Sequence, residues 1–180
     1  ERNKHRLTAK EYADTATYGK MVLDKYYDQY SPTWSEDIRY DTEYRIRDIH
    51  IQGVPVTGFI DRVDKKDHSI VVYDYKSGKT DKFREKLKAP DEKSNGGDYW
   101  RQMVFYDLML IQDPKYHTHM DHGWLQALEP EKDGTFKQHK VVVTTEDREI
   151  VTRQIVDTYQ KIQNMEFNTG CGKCQWCEMH

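Results

Sequence analysis

Two strand-patterned stretches separated by four polar residues constrain this chain more than any other feature. Residues 56–64 and 69–76 are rich in Val, Ile and Tyr, and Lys65-Lys66-Asp67-His68 lies between them. Such runs around a polar turn read as a β-hairpin. A hairpin symmetric about Asp67 and His68 places Asp61 directly opposite Asp74. Opposed strand residues hold their Cβ atoms about 4.5–5.5 Å apart. Residues two apart share a face, so Asp74 and Lys76 project together while Tyr73 and Tyr75 point the other way. Two carboxylates that close repel each other unless a cation lies between them. Carboxylate oxygens suit Mg²⁺ or Mn²⁺. A metal there would acidify water and neutralise phosphate charge, and Lys76 would orient that water and stabilise developing charge. This is what phosphodiester hydrolysis requires. An isolated Asp-x-Lys on a solvated sheet face would be an ordinary cross-strand ion pair. The apolar setting of the motif and the matching register of Asp61 argue against that.

The rest of the chain builds a frame around the hairpin. Over residues 7–30, Tyr12, Ala16, Gly19, Val22, Leu23, Tyr26, Tyr27 and Tyr30 recur at helical spacing, and Ser31-Pro32 ends the pattern. The tyrosine-rich stripe is expected to pack in the core. Residues 39–51 alternate as a strand, with Tyr40, Thr42, Tyr44 and Ile46 on one face and Arg39, Asp41, Glu43 and Arg45 on the other. Residues 79–97 show no periodicity and read as a mobile loop. Their lysines and arginine, including Lys79, Lys82 and Arg84, either contact phosphates or simply solvate the loop, being interleaved with Asp81, Glu85, Asp91 and Glu92. Asp98 is expected to cap a helix from about Tyr99 to Ile111. Strands follow near 122–128 and 136–143. Thr144 or Thr145 caps a last helix, with Ile150, Ile155, Tyr159, Ile162 and Phe167 toward its buried side. The order α-β-β-β-α-β-β-α predicts an α/β fold, layered as α+β, with a mixed sheet flanked by helices.

The length of 180 residues fits one domain, with no internal repeat. No apolar run approaches the roughly 20 residues that span a membrane. The start, Glu1-Arg2-Asn3-Lys4, reads as a cut from a longer chain. The net charge of -3, from 28 Lys+Arg against 31 Asp+Glu, is unlike that of a generic basic nucleic-acid binder. A local basic stripe beside clustered carboxylates remains compatible with it. The three cysteines, Cys171, Cys174 and Cys177, crowd into the last ten residues. That is a poor disulfide framework, and it suits a reducing, cytoplasmic setting and metal binding.

Gly58-x-x-Asp61, Asp74-Tyr75-Lys76-Ser77-Gly78 and Gln102-x-x-x-Tyr106 occur in this order. Together they resemble the three motifs of the RecB-like branch of the PD-(D/E)XK nuclease superfamily. The resemblance implies a restriction-endonuclease-like core and a Mg²⁺- or Mn²⁺-dependent deoxyribonuclease. It gives Asp61 and Asp74 as metal ligands with the backbone carbonyl of Tyr75 as a third, and Lys76 as the catalytic lysine. Gln102 and Tyr106, one helical turn apart, would position DNA or the site. Read alone, they are ordinary helix surface and core. Tyr99 shares their face, where it either stacks on an unpaired base or packs in the core.

The run Gly96–Gln102 with the Gly-Cys-Gly tail resembles the C-terminal nuclease domain of UvrD/RecB-type helicases. This implies a helicase motor domain in the same or a partner chain, and DNA end processing in repair or recombination. RecB-like nucleases often carry a metal-binding histidine four residues after a glycine on the first helix. Here Gly19 is followed at that spacing by Leu23. The departure leaves a second reading, a DNA-binding or docking module of the same fold without turnover. Relatives with a cysteine-rich tail hold an iron–sulfur cluster through a fourth, upstream cysteine that this chain lacks. Cys171, Cys174, Cys177 and His180 then stand as a Cys₃His zinc set, as part of a cluster in a longer chain, or as free thiols.

Overall fold

The first helix, α1, spans Ala9–Tyr30. The computed structural model describes residues 7–166 apart from 79 and 93. A reciprocal capping box closes the α1 N-terminus: the Thr8 N–H donates to Glu11 Oε2 at 2.8 Å, and the Glu11 N–H donates to Thr8 Oγ1 at 3.2 Å. The tyrosine stripe does not pack in the core as expected. Val22 is the only buried residue of α1, while Tyr12, Leu23 and Tyr27 are exposed. Tyr26 and Tyr30 are half-buried, with their rings against Phe136. Helical spacing shows that a stripe exists but not how much of it a partner covers.

Three strands follow: β1 (Arg39–Ile51), β2 (Val54–Lys66) and β3 (Ser69–Lys76). After a crossover come β4 (His122–Pro130) and β5 (Phe136–Val141). They form one sheet in the order β1-β2-β3-β4-β5, antiparallel except for the parallel β3–β4 pair. The hairpin has the register read from sequence, from Lys66↔Ser69 to Arg62↔Tyr73. Parallel neighbours need a long connection, and the crossover supplies it with α2 (Phe83–Lys86) and α3 (Asp98–Gln112).

The simple alternation expected for β1 fails. Asp41 bonds Tyr116 and Tyr44 bonds Asp113, both in the segment at the C-terminal end of α3. Residues of opposite parity therefore reach the same side. Glu43, between them, has φ +49, a left-handed conformation that interrupts the pleat. Its counterpart in β2 by register is Asp61, and the two form no registered pair. β2 also changes phase there. Gly58 abuts Met109 of α3, where a Cβ would lie 2.9 Å from the Met109 side chain. Arg62, of the same parity, lies over Tyr40 and Tyr73.

The core lies between the sheet and α3, where Val63, Val72, Met103, Val104, Met109, Leu110 and Leu125 are fully enclosed. The described residues of the segment 80–97 do not form an open loop. Phe83 is buried, and its ring meets Tyr99 edge-on at 5.4 Å. The Gly97 N–H donates to Lys88 O at 2.8 Å. A Cβ on Gly97 would lie 2.1 Å from Lys86 O, so only glycine allows this approach. Gly97, rather than Asp98, occupies the N-cap of α3. The last helix, α4 (Thr145–Gln163), packs on α3. Val151, unlisted in the sequence reading, is its one buried residue, and Ile162 is exposed. Phe167 lies outside the described residues.

Asp107 of α3 is fully buried and ties three segments together. It accepts from Arg148 Nε of α4 at 2.6 Å and from the Met120 N–H at 2.8 Å, and it pairs with His119 Nδ1 at 2.9 Å. Thr144 caps α4 through a box with Asp147, and Trp100 Nε1 also donates to Asp147 at 2.9 Å. Burial pushes the Asp147 carboxyl up, but the bonds from Thr144 and Trp100 outweigh it and hold its pKa below the ordinary value. A depressed carboxyl contributes stability above its unfolded pKa, near 3.9, and loses it as pH falls through the folded value. Asp147→Ala is expected to cost about 1 kcal/mol at neutral pH. In urea unfolding the deficit should shrink as pH falls below the unfolded carboxyl range. A deficit that holds constant with pH would contradict this account. Among the described residues no helix is long and apolar enough to cross a membrane.

Candidate active site

Asp74 lies in the middle of the sheet, paired with Leu125 of β4, and its side chain is buried. Tyr106 Oη donates to Asp74 Oδ1 at 2.9 Å. Gln102 Nε2 donates to Tyr106 Oη at 2.7 Å, and Lys76 Nζ donates to Gln102 Oε1 at 2.7 Å. Lys76 Nζ also lies 2.7 Å from Asp74 Oδ2. The four residues form a closed ring that joins β3 to α3. Two rows of spacing produce it: Asp74 and Lys76 two apart on a strand, and Gln102 and Tyr106 four apart on a helix.

Among the described residues the Lys76 ammonium is what faces the buried Asp74 Oδ2, as an ion pair rather than an aligned hydrogen bond. Burial raises the Asp74 pKa, Lys76 and Tyr106 oppose the rise, and the nearby Asp61 charge adds to it. Burial, then the Asp74 charge, likewise raises the Tyr106 phenol. A buried carboxylate oxygen costs free energy unless a cation or donor reaches it, and here the Lys76 ammonium does.

Asp61 sits where the ladder opens. Registered β2–β3 pairs stop at Arg62↔Tyr73, and Asp61 Oδ2 accepts from the Tyr75 N–H at 2.8 Å. A phase change beside a site is a common way to redirect a side chain. It brings the Asp61 charge close enough to act on both Asp74 and Tyr106. The Asp61 and Asp74 carboxylates, with the Tyr75 carbonyl next along the chain from Asp74, offer oxygen alone, which suits a hard divalent ion beside Asp74 Oδ2. Among the described residues no group of three or more His, Cys, Asp or Glu side chains could hold a metal. Glu43 is exposed, and Leu23 offers no ligand.

Tyr99 is half-buried, with Lys76 Nζ at 4.7 Å and Lys86 Nζ at 4.6 Å from its ring centre. Lys86 lies in the stretch that the sequence reads as a mobile loop. The spacing of Phe83 and Leu87 was the available sign that this stretch is helical and holds Lys86 in place. Lys82 and Arg84 are exposed and stand outside the ring. Lys79 lies outside the described residues, as do Cys171, Cys174, Cys177 and His180.

No curated protein matches the sequence. Among solved structures, the chain is similar to one described as "Putative exonuclease" from Eubacterium rectale. The TM-score is 0.50 at 11% identity, over 93% of this chain and 72% of that one. It also aligns with SSO0001 at TM-score 0.42 and 16% identity, over 77% of this chain and 56% of that one. This chain thus spans little more than half the length of SSO0001. Likeness at such identity shows the fold alone. Sequence similarity to the PD-(D/E)XK nuclease superfamily runs over residues 2–180. With nearly its whole length matched, the chain belongs to the PD-(D/E)XK nuclease superfamily.

Proposed function

We propose that this chain is a Mg²⁺- or Mn²⁺-dependent deoxyribonuclease of exonuclease-like action on single strands or ends. The observation that carries the reading is the ring of Asp74, Lys76, Gln102 and Tyr106 around a buried carboxylate, with the Asp61 charge beside it. Asp61, Asp74 and the Tyr75 carbonyl would hold the ion. When bound, it would supply charge neutralisation at the phosphate and a lowered pKa for water. The side chains do the remaining work. Lys76 keeps its ammonium charge facing the carboxylates, where it balances charge on the phosphate and orients the attacking oxygen. Gln102 fixes Lys76, and Tyr106 fixes Asp74, so both are held before substrate arrives. The motif order and the Gly96–Gln102 run support a place as the nuclease domain of a helicase in DNA end processing, with the motor in the same or a partner chain.

The test is cleavage of end-labelled single- and double-stranded DNA with Mg²⁺ or Mn²⁺. Products should appear with metal and vanish with chelator. DNA binding without cleavage at any concentration of either ion would favour the second reading, a docking module without turnover. The two-carboxylate donor set is the observation that motivates that alternative.

A further inference from the structure

The sheet has two unlike faces. One carries Val63, Val72 and Leu125 and packs on α3. The other carries Arg62, Tyr73 and Trp124 in one registered row, and Gln126 opposite Gln138 in the next. None of these five belongs to the hydrophobic core. A cavity of about 280 Å³ lies between that face and the end of α1, lined also by Tyr30 and Trp34.

Its chemistry is not that of a packing defect. Cavities that stay empty and dry are apolar. This cavity has rings from both sides and a charged pair in its wall. Arg62 holds Asp64 through two bonds, at 2.5 and 2.7 Å, and its guanidinium lies 4.7 Å from the Tyr73 ring and 5.8 Å from the Trp34 ring. Trp34 stays 42% exposed although it borders the cavity. Gln126 is 1% exposed, and among the described residues its amide Nε2 donates at 3.4 Å to Tyr30 Oη and to its neighbour's carbonyl. That is beyond the usual N–H···O length of about 2.9–3.0 Å. Gln126 Oε1 is occupied by Gln138. A buried amide held by two long bonds and flanked by rings suits a planar ligand with an acceptor on its edge. Nucleobases combine these properties, and proteins take them by aromatic stacking with amide contacts to the base edge. The volume lies just below the about 300–1,000 Å³ of drug-sized ligand pockets, which suits one ring system.

We propose that the cavity between the end of α1 and the aromatic sheet face binds a single nucleobase. The base comes from a bound strand or from a free nucleotide. The site lies behind β2 and β3, away from the ring of Asp74 and Lys76, so its test needs no cleavage. Calorimetric titration of the intact chain with AMP should saturate, and ribose 5-phosphate should give no heat. In parallel, a short oligonucleotide is compared with copies carrying one abasic position at each step, in the presence of chelator. Trp34→Leu, at an exposed position, and Gln126→Leu should each weaken base-dependent binding about tenfold or more. AMP binding that both variants weaken supports the site with a free nucleotide. An affinity drop at one abasic position, absent in both variants, supports it with a strand base. Equal binding of ribose 5-phosphate overturns the proposal. So does affinity for AMP and oligonucleotide that Trp34→Leu leaves unchanged.

Discussion

Lys76→Ala is expected to lower metal-dependent DNA cleavage by at least about 10²–10³-fold, the usual loss when a charge-stabilising group is taken from a reacting phosphate or oxyanion. Lys76 is the strongest influence holding down the pKa of Asp74, against burial and the Asp61 charge. Its removal therefore leaves Asp74 more readily protonated, and the metal competes with a proton at the same oxygen. Added Mn²⁺ should still raise the Tm of Lys76→Ala, because Asp61 and Asp74 remain. Asp74→Ala should lose both cleavage and the Mn²⁺-dependent rise. The pair separates a group that acts on the phosphate from a group that holds the ion. Cleavage by Lys76→Ala within a few fold of the parent chain would remove Lys76 from the chemistry. A Tm rise of equal size in Asp74→Ala would place the ion elsewhere.

The second large effect concerns stability. Arg148→Ala is expected to cost about 3–5 kcal/mol in denaturant unfolding, because it strands a fully buried carboxylate. Asp107 would keep only the Met120 N–H and the half-exposed His119 ring. Arg148 Nη2 also donates to Val143 O at 3.1 Å, so the loop before α4 loosens too. Removing both charges in Asp107→Leu with Arg148→Met should recover much of the loss, since well-packed apolar replacements of buried pairs are often neutral. A cost of Arg148→Ala below about 1 kcal/mol would show that the pair is solvated rather than buried. Asp107 follows Tyr106 directly on α3, so an unanchored α3 also misplaces Gln102 and Tyr106. Cleavage should fall alongside stability.

Some of this was legible in the residues and some was not. The β2–β3 hairpin could be read because a short polar turn fixes register, and register places every later pair. Gln102 and Tyr106 could be placed because helix spacing is strict once the helix is recognised. The phase change at Glu43 and Asp61 could not be read. It depends on a left-handed backbone at a glutamate, a conformation that no local residue preference announces. The exposure of Leu23 and Tyr27 was likewise hidden, since amphipathicity records a face and not its occupant. Residues 79–97 misled for a different reason. Phe83 is one aromatic among many charges, and its burial comes from Tyr99 on a later helix. The partners of Asp107 lie 12 to 41 residues away, beyond any local pattern.

The parallel pairing of β3 with β4 carries a consequence for biosynthesis. Lys76 leaves the ribosome some 26 residues before Gln102, and β3 gains its second neighbour only after β4 emerges and α3 has folded back across the sheet. Contacts this distant in sequence form late, because loop closure must precede them. An emerging polypeptide can therefore carry both acids and the lysine and still be inert toward any nearby nucleic acid, becoming competent only when translation has passed the end of β4.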